Sequence, residues 1–308
     1  MDIQKLLCQV YDEVRPLLEA RPLLGGTVAN SIPALLEVDP HRFGFAAATL
    51  SGEVYGVGDW RTPFSIQSVS KLFSLALVLA HDGEQLWKRV GYRPSSHRYD
   101  ALTELDDAAG VPANPFVNAG ALVVVDRLLR LTGSAQRTVL ELLRTETGNP
   151  RIEVDATVAA SERAHHHRNA AIAHLIADHG NLHHPIGEVL DHYAAQCAIA
   201  MSCADLAVAG LFLARHGVRA GGSRLLTRSE AKRLNAMLLT CGTYDAAGEF
   251  AYHVGLPAKS GIGGGILAVV PGWGALATWG PALDSGGNSL AGRAALARFT
   301  TATGRSVF

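Results

Sequence analysis

Residues 64–80 run Phe64-Ser65-Ile66-Gln67-Ser68-Val69-Ser70-Lys71-Leu72-Phe73-Ser74-Leu75-Ala76-Leu77-Val78-Leu79-Ala80. A short strand is expected over 62–66, and from 70 to 80 the pattern turns helical. The first turn of a helix keeps backbone N–H groups that have no partner within the helix. Ser68 and Lys71 are three apart, a spacing that brings side chains to one helix face. A serine placed there can hold an oxyanion with its own N–H, while a neutral lysine beside it removes the hydroxyl proton. Spacing alone is a weak signal, because Ser229-Glu230-Ala231-Lys232 repeats it. There, Thr227 followed by Glu230 reads as a helix-capping box, which makes Lys232 a solvated helix residue.

Outward from this stretch, the chain is built in three parts. Before it, 3–20 reads as an amphipathic helix, and 42–50 and 53–58 as two strands joined at Ser51-Gly52. After it, 82–117 is irregular, and a loop that long in a compact domain usually wraps a site. Helices are then expected at 119–131, 135–147, 155–163, 168–179, 187–197, 203–216 and 228–239. Beyond Cys241 the chain becomes rich in glycine. Strands at 266–270 and 275–279 flank Pro271-Gly272-Trp273-Gly274, and 289–303 closes the chain as a helix. Terminal strands pairing into one sheet around a helical insertion is the economical α+β architecture. The division expected is a sheet portion of about 1–70 and 240–308 and a helical portion of about 71–239, within one domain spanning 1–308.

A second motif, Lys259-Ser260-Gly261, precedes Ile262-Gly263-Gly264-Gly265. Lys-Ser/Thr-Gly on an edge strand is the partner of Ser-x-x-Lys in penicillin-recognising enzymes, and its glycines let a substrate approach the backbone. A nucleotide-binding glycine loop would open a helix instead. Glu162 and Asn169 lie seven apart, two helical turns if the helix is unbroken. They suit a substrate ammonium and a carboxylate or amide, although exposed Glu and Asn are ordinary. Tyr193 sits on an expected helix and Tyr244 in a turn, and a tyrosine can relay a proton in a Ser-Lys site.

Composition sets the outer limits. With 27 basic and 28 acidic residues and no basic block, the chain is not expected to bind nucleic acid. Charged residues are 18% and hydrophobic residues 48%, which argues against extended disorder. No apolar run is long enough to span a bilayer. The N-terminus lacks an export-signal pattern, and four cysteines without a CxxC pair fit a reducing cytoplasm. Eight of 13 histidines fall between His165 and His192, yet no HExxH motif occurs, and no metal site is expected. Only five basic residues are lysines (Lys5, Lys71, Lys88, Lys232 and Lys259) against 22 arginines. Genomic composition accounts for most of that bias, but two of the five fall in paired motifs.

These motifs, in this order over about 25–300, resemble the serine-dependent glutaminase family of the β-lactamase and penicillin-binding superfamily. The segments that carry the resemblance are 64–71, Pro115-Phe116-Val117-Asn118-Ala119-Gly120-Ala121, Ser161-Glu162 with Arg168-Asn169, Cys241-Gly242-Thr243-Tyr244-Asp245 and 253–266. The resemblance implies a serine β-lactamase/transpeptidase-like fold and hydrolysis of L-glutamine to glutamate and ammonia through a γ-glutamyl ester on Ser68. It implies Lys71 as general base and the N–H groups of Ser68 and Ile262 as the oxyanion hole. Asn118, Glu162, Asn169, Tyr193 and Tyr244 become substrate contacts, with Glu162 meeting the α-amino group and one of the two tyrosines relaying a proton. Lys259, Ser260 and Gly261 take supporting places. No cofactor is required, and a homo-oligomer, dimer or tetramer, is implied. Two other readings stand beside it: a β-lactamase or esterase using the same Ser-Lys chemistry, and a non-catalytic glutamine-binding protein. The chain departs from the family at Ala29-Asn30-Ser31-Ile32-Pro33, where the family has a tyrosine at the position of Ser31, and in the run His165-His166-His167.

Overall fold

Residues on either side of Ser51-Gly52 pair as the antiparallel hairpin Gly44–Thr49 (β1) and Val54–Gly58 (β2). The structure, a computed structural model, describes residues 2–19, 26–95 and 97–308. The remaining strands are Phe64–Ser65 (β3), Glu153–Val154 (β4), Ile199–Met201 (β5), Ala258–Ser260 (β6), Gly265–Val270 (β7) and Gly274–Trp279 (β8). The helices begin with Ile3–Glu19 (α1), Ser70–Asp82 (α2), Thr103–Asp107 (α3), Asn118–Thr132 (α4), Ala135–Thr147 (α5) and Ala156–Ala164 (α6). They continue with His167–Asp178 (α7), Ile186–Cys197 (α8), Cys203–Ala214 (α9), Arg228–Cys241 (α10), Ala247–His253 (α11) and Leu290–Thr303 (α12).

Five strands from the two ends of the chain form one antiparallel sheet, in the order β2-β1-β8-β7-β6. Its inner strands are buried on both faces, which is why β1 reads Gly-Phe-Ala-Ala-Ala-Thr rather than alternating apolar and polar. The two-residue period still divides the faces. Phe45, Ala47, Ile266, Ala268 and Leu276 pack with α1 and α12, around Leu7, Val14, Leu296 and Phe299. Ala46, Ala48, Leu267, Val269, Ala275 and Ala277 face the other way, into a core shared with α9 and the helical body. Alanines on that face let α9 lie close to the sheet.

The strand expected at 62–66 is shorter, and it does not extend the terminal sheet. As β3 it joins a separate three-stranded sheet, β3-β5-β4, whose other strands lie within the helical stretch. Two- and three-residue strands carry too little periodicity to reveal their partners in sequence. This small sheet fixes the run into Ser68, with Phe64 stacked on Trp279 at 5.1 Å.

α2 is buried from Ser70 to Leu79 without a solvated stripe, so it runs through the helical core. The segment expected to be irregular, 82–117, contains the short helix α3 and is tied to the helical body at Arg89 and Gly110. Arg89 Nη2 meets buried Asp126 of α4 at 2.7 Å, and Asn181 Nδ2 donates to the carbonyls of Arg89 and Gly110. Among the described residues, no helix is long and apolar enough to cross a membrane.

Candidate active site

Ser68 lies in a 3₁₀ turn, Gln67–Val69, that runs straight into α2. The chain bends there because Gln67 adopts φ 47°, left-handed space that non-glycine residues rarely occupy. Its neighbours hold it: Gln67 Nε2 donates to Ser65 Oγ at 2.8 Å, and Ser65 Oγ donates to the Cys197 carbonyl at 2.9 Å. The turn between β6 and β7 presses on the same spot. A Cβ at Gly261 would lie 2.7 Å from the Ile66 carbonyl oxygen and 3.1 Å from Ser68 N. One at Gly263 would lie 2.3 Å from the Ser65 carbonyl oxygen, so only glycine permits this approach. Ile262, between them, lines the cleft beside Ser68. Neither the Ser68 nor the Ile262 N–H donates to a backbone carbonyl among the described residues.

Lys71 is 1% exposed, and Nζ donates to the Phe116 carbonyl at 3.1 Å and to Asn118 Oδ1 at 2.6 Å. Both acceptors are neutral. Burial therefore dominates and lowers the amine to about 8, against the attraction of Glu162 and Asp100. Asn118 opens α4 and joins the polar groups. Its Oδ1 also receives Tyr193 OH at 3.4 Å, and its Nδ2 donates to Asn169 Oδ1 at 2.9 Å.

Glu162 lies near the end of α6 at 5% exposure, with Oε2 shielded from water and without a hydrogen-bond partner among the described residues. Burial raises its carboxyl to about 8, partly countered by Lys71 and Gln67. Both phenols are buried, and burial raises them so that each stays protonated. Tyr244 occupies φ 60°. Its oxygen has no well-aligned hydrogen bond among the described residues, although the Ser68 hydroxyl beside it partly offsets the burial. Cys197 is pushed up by burial too, so it stays a thiol.

The cleft so formed holds about 110 Å³ of free space, far below the ~300–1,000 Å³ of drug-sized pockets. That volume suits a ligand of amino-acid size. Of the expected residues, Ser68, Asn118, Glu162, Asn169, Tyr193 and Ile262 line it together. Lys71 and Tyr244 stand just behind that lining. Lys259 stands further back: Nζ donates to the carbonyls of Gly242 at 2.9 Å and Ser260 at 2.6 Å and lies 4.1 Å from the Tyr244 ring centroid. It braces the Tyr244 turn, and burial first, then Lys71, pushes its amine well below the ordinary lysine range.

Sequence reading missed Gln67, Tyr99 and Asp100, which also line the cleft. Gln67 lay inside the quoted motif, but nothing in its type announced positive φ. Tyr99 and Asp100 lie in the irregular segment expected to wrap a site. The histidines scatter: His179 pairs with Asp106 and His184 with Asp126. Among the described residues, no three potential metal ligands converge.

An antiparallel sheet built from both chain ends, a helical body and a Ser-x-x-Lys serine at a helix start between them define the serine β-lactamase-like class. The glutaminase family profile matches residues 26–308, and this chain belongs to that family. A glutaminase of Streptomyces coelicolor is 58% identical over 300 residues, covering 96% of this chain and 98% of that one. One of Paraburkholderia phytofirmans is 50% identical over 309 residues, covering 100% of both. Among solved structures, the probable glutaminase ybaS superposes with TM-score 0.92 at 32% identity, covering 100% of this chain and 99% of that one. A probable glutaminase from Bacillus subtilis, complexed with 6-diazo-5-oxo-L-norleucine, gives TM-score 0.88 at 30% identity, covering 100% and 97%.

Proposed function

We propose that this protein hydrolyses L-glutamine to L-glutamate and ammonia through a serine acyl-enzyme. The observation that carries the reading is the buried Lys71 amine. It is held by neutral acceptors beside a cleft that also contains Ser68 and a buried carboxylate. Glutamine offers an ammonium, a carboxylate and an amide, and the cleft has groups for each. The analogue in the Bacillus structure supports the same class of ligand.

In this mechanism neutral Lys71 takes the Ser68 hydroxyl proton as Oγ attacks the amide carbon. The Ser68 and Ile262 N–H groups stabilise the oxyanion. A proton then passes from Lys71 to the amide nitrogen, the C–N bond breaks, and ammonia leaves a γ-glutamyl ester. Tyr244, beside Ser68 and otherwise unpartnered, suits that relay better than Tyr193, whose hydroxyl is turned to Asn118. Because both phenols stay protonated, the relay accepts one proton as it gives another. Water, deprotonated by Lys71, attacks the ester, and glutamate leaves with Ser68 and Lys71 restored.

Ammonia release from L-glutamine by wild type and Ser68→Ala, beside L-asparagine and a chromogenic cephalosporin, tests this reading. Glutamine-dependent release lost in Ser68→Ala supports it. Turnover of the cephalosporin alone would transfer the chemistry to another acyl hydrolase, and binding of glutamine without ammonia release would make the protein a sensor. The same reading treats 1–308 as one domain and the protein as a cytoplasmic homo-oligomer, dimer or tetramer. Light scattering on the purified protein measures the assembly.

A further inference from the structure

We propose that Trp279 is a positioning residue that holds the two oxyanion-hole donors, the N–H groups of Ser68 and Ile262, at their working separation. The proposal rests on the glutaminase reading of the cleft. The two donors come from segments far apart in sequence, and both must reach one oxygen, so the segments need a fixed spacing. Local bonds do not provide it. Gly264 N donates to the Gly261 carbonyl and Gly261 N to the Gly265 carbonyl, each at 2.9 Å, which shapes the turn around Ile262 from within. Among the described residues, no backbone hydrogen bond joins 64–69 to 261–265. The glycine contacts at 261 and 263 set how closely the two segments can approach, not how far they can drift apart.

Trp279 touches both segments. It ends β8 at 2% exposure, directly opposite Gly265 of β7. Its Nε1–H donates to the Gly263 carbonyl at 3.0 Å, one residue beyond Ile262. Its ring stacks on Phe64, four residues before Ser68, with centroids 5.1 Å apart and planes 3° from parallel. Gly265 leaves room for the pair, since a Cβ there would lie 2.6 Å from Phe64 Cε2. A buried indole N–H needs a partner, and the Gly263 carbonyl supplies it, so the ring cannot slide without losing the hydrogen bond or the stack. Trp279 is not among the residues lining the cleft, so it acts through the two segments it touches. Charge develops on the oxygen only during attack, so displaced donors weaken the transition state more than the bound ground state. The effect therefore belongs in kcat.

Two variants of the intact protein separate the contacts. Trp279→Phe removes the N–H and keeps a ring to stack, and Phe64→Leu removes the stack and keeps the N–H. Ammonia release from L-glutamine gives kcat, and calorimetry with L-glutamate gives affinity and the number of competent sites per chain. Trp279→Phe should lower kcat per competent site about tenfold, less than removal of an oxyanion donor outright, with glutamate affinity within about twofold. Phe64→Leu should lower kcat about fivefold with the same unchanged affinity. In both, the break in the pH profile should stay near pH 8, because Lys71 keeps its surroundings. A kcat for Trp279→Phe within about twofold of wild type would overturn the assignment. So would an affinity loss as large as the loss in kcat, or a fall in kcat accounted for by missing competent sites. If Trp279→Phe does not fold, Phe64→Leu decides by the same criteria. A wild type that releases no ammonia sinks the glutaminase reading and this proposal with it. That outcome is distinct from an active wild type beside an equally active Trp279→Phe, which sinks this proposal alone.

Discussion

Two stretches of this chain have the pattern Ser-x-x-Lys, and the fold gives them opposite fates. Ser68 and Lys71 sit where a 3₁₀ turn enters a fully buried helix, with Lys71 reaching two neutral acceptors. Ser229 and Lys232 sit on the exposed side of α10. That helix starts with a capping box: the Thr227 N–H donates to Glu230 Oε2 at 2.7 Å and the Glu230 N–H to Thr227 Oγ1 at 3.2 Å. Identical spacing therefore yields a desolvated amine in one place and a solvated side chain in the other. The difference is desolvation: an amine that loses water and gains no anion in contact gives up its proton near neutrality.

The comparison breaks most directly at the proposed nucleophile. Ser68→Ala should lower glutamine turnover by about 10⁴-fold or more, whereas Ser229→Ala should stay within about twofold in the same ammonia assay. Equal losses at the two sites would end the distinction. At the proposed base, Lys71→Met should cost about 10³-fold, and Lys232→Met should leave the rate unchanged.

The pH profile sharpens the argument. In the proposed mechanism Lys71 works neutral, a state it reaches above about 8, and Glu162 works ionised, which also holds above about 8. The required state is thus present above that value and is lost as pH falls through it. Because two protons must be lost, log kcat/KM should fall below about pH 8 with a slope between one and two, and flatten above that value. Glu162→Gln should reduce the slope toward one. The same substitution should raise KM for glutamine about thirtyfold with little change in kcat, as a lost ammonium partner would. The smallest effect belongs to α10: Thr227→Ala should lower unfolding stability by about 1 kcal/mol in a denaturant titration and leave activity unchanged.

Much of the fold was legible because its elements are long and punctuated. The expected helix at 135–147 and strand at 266–270 appear as Ala135–Thr147 and Gly265–Val270, since apolar periodicity and flanking glycines marked both. β3 misled because two residues carry no period, and its partner Ile199–Met201 lies far along the chain. In the site, Ser68, Lys71, Asn118 and Tyr244 announced themselves as residue types in recognisable order. Gln67, Tyr99 and Asp100 did not, because a glutamine at positive φ or a tyrosine in an irregular segment looks like any other.

The sequence alone determined the class of chemistry, through a serine and a lysine three apart and a second Lys-Ser-Gly run ahead of a glycine cluster. It also singled out five lysines among 27 basic residues as worth asking about. Tertiary structure decided which of them matter. Lys71 and Lys259 are fully buried, with Phe116, Tyr193 and Tyr244 among the groups around them, while Lys5, Lys88 and Lys232 remain exposed. The physical reason is that the loss of water around an amine depends on residues distant in sequence. Spacing along the chain cannot record it.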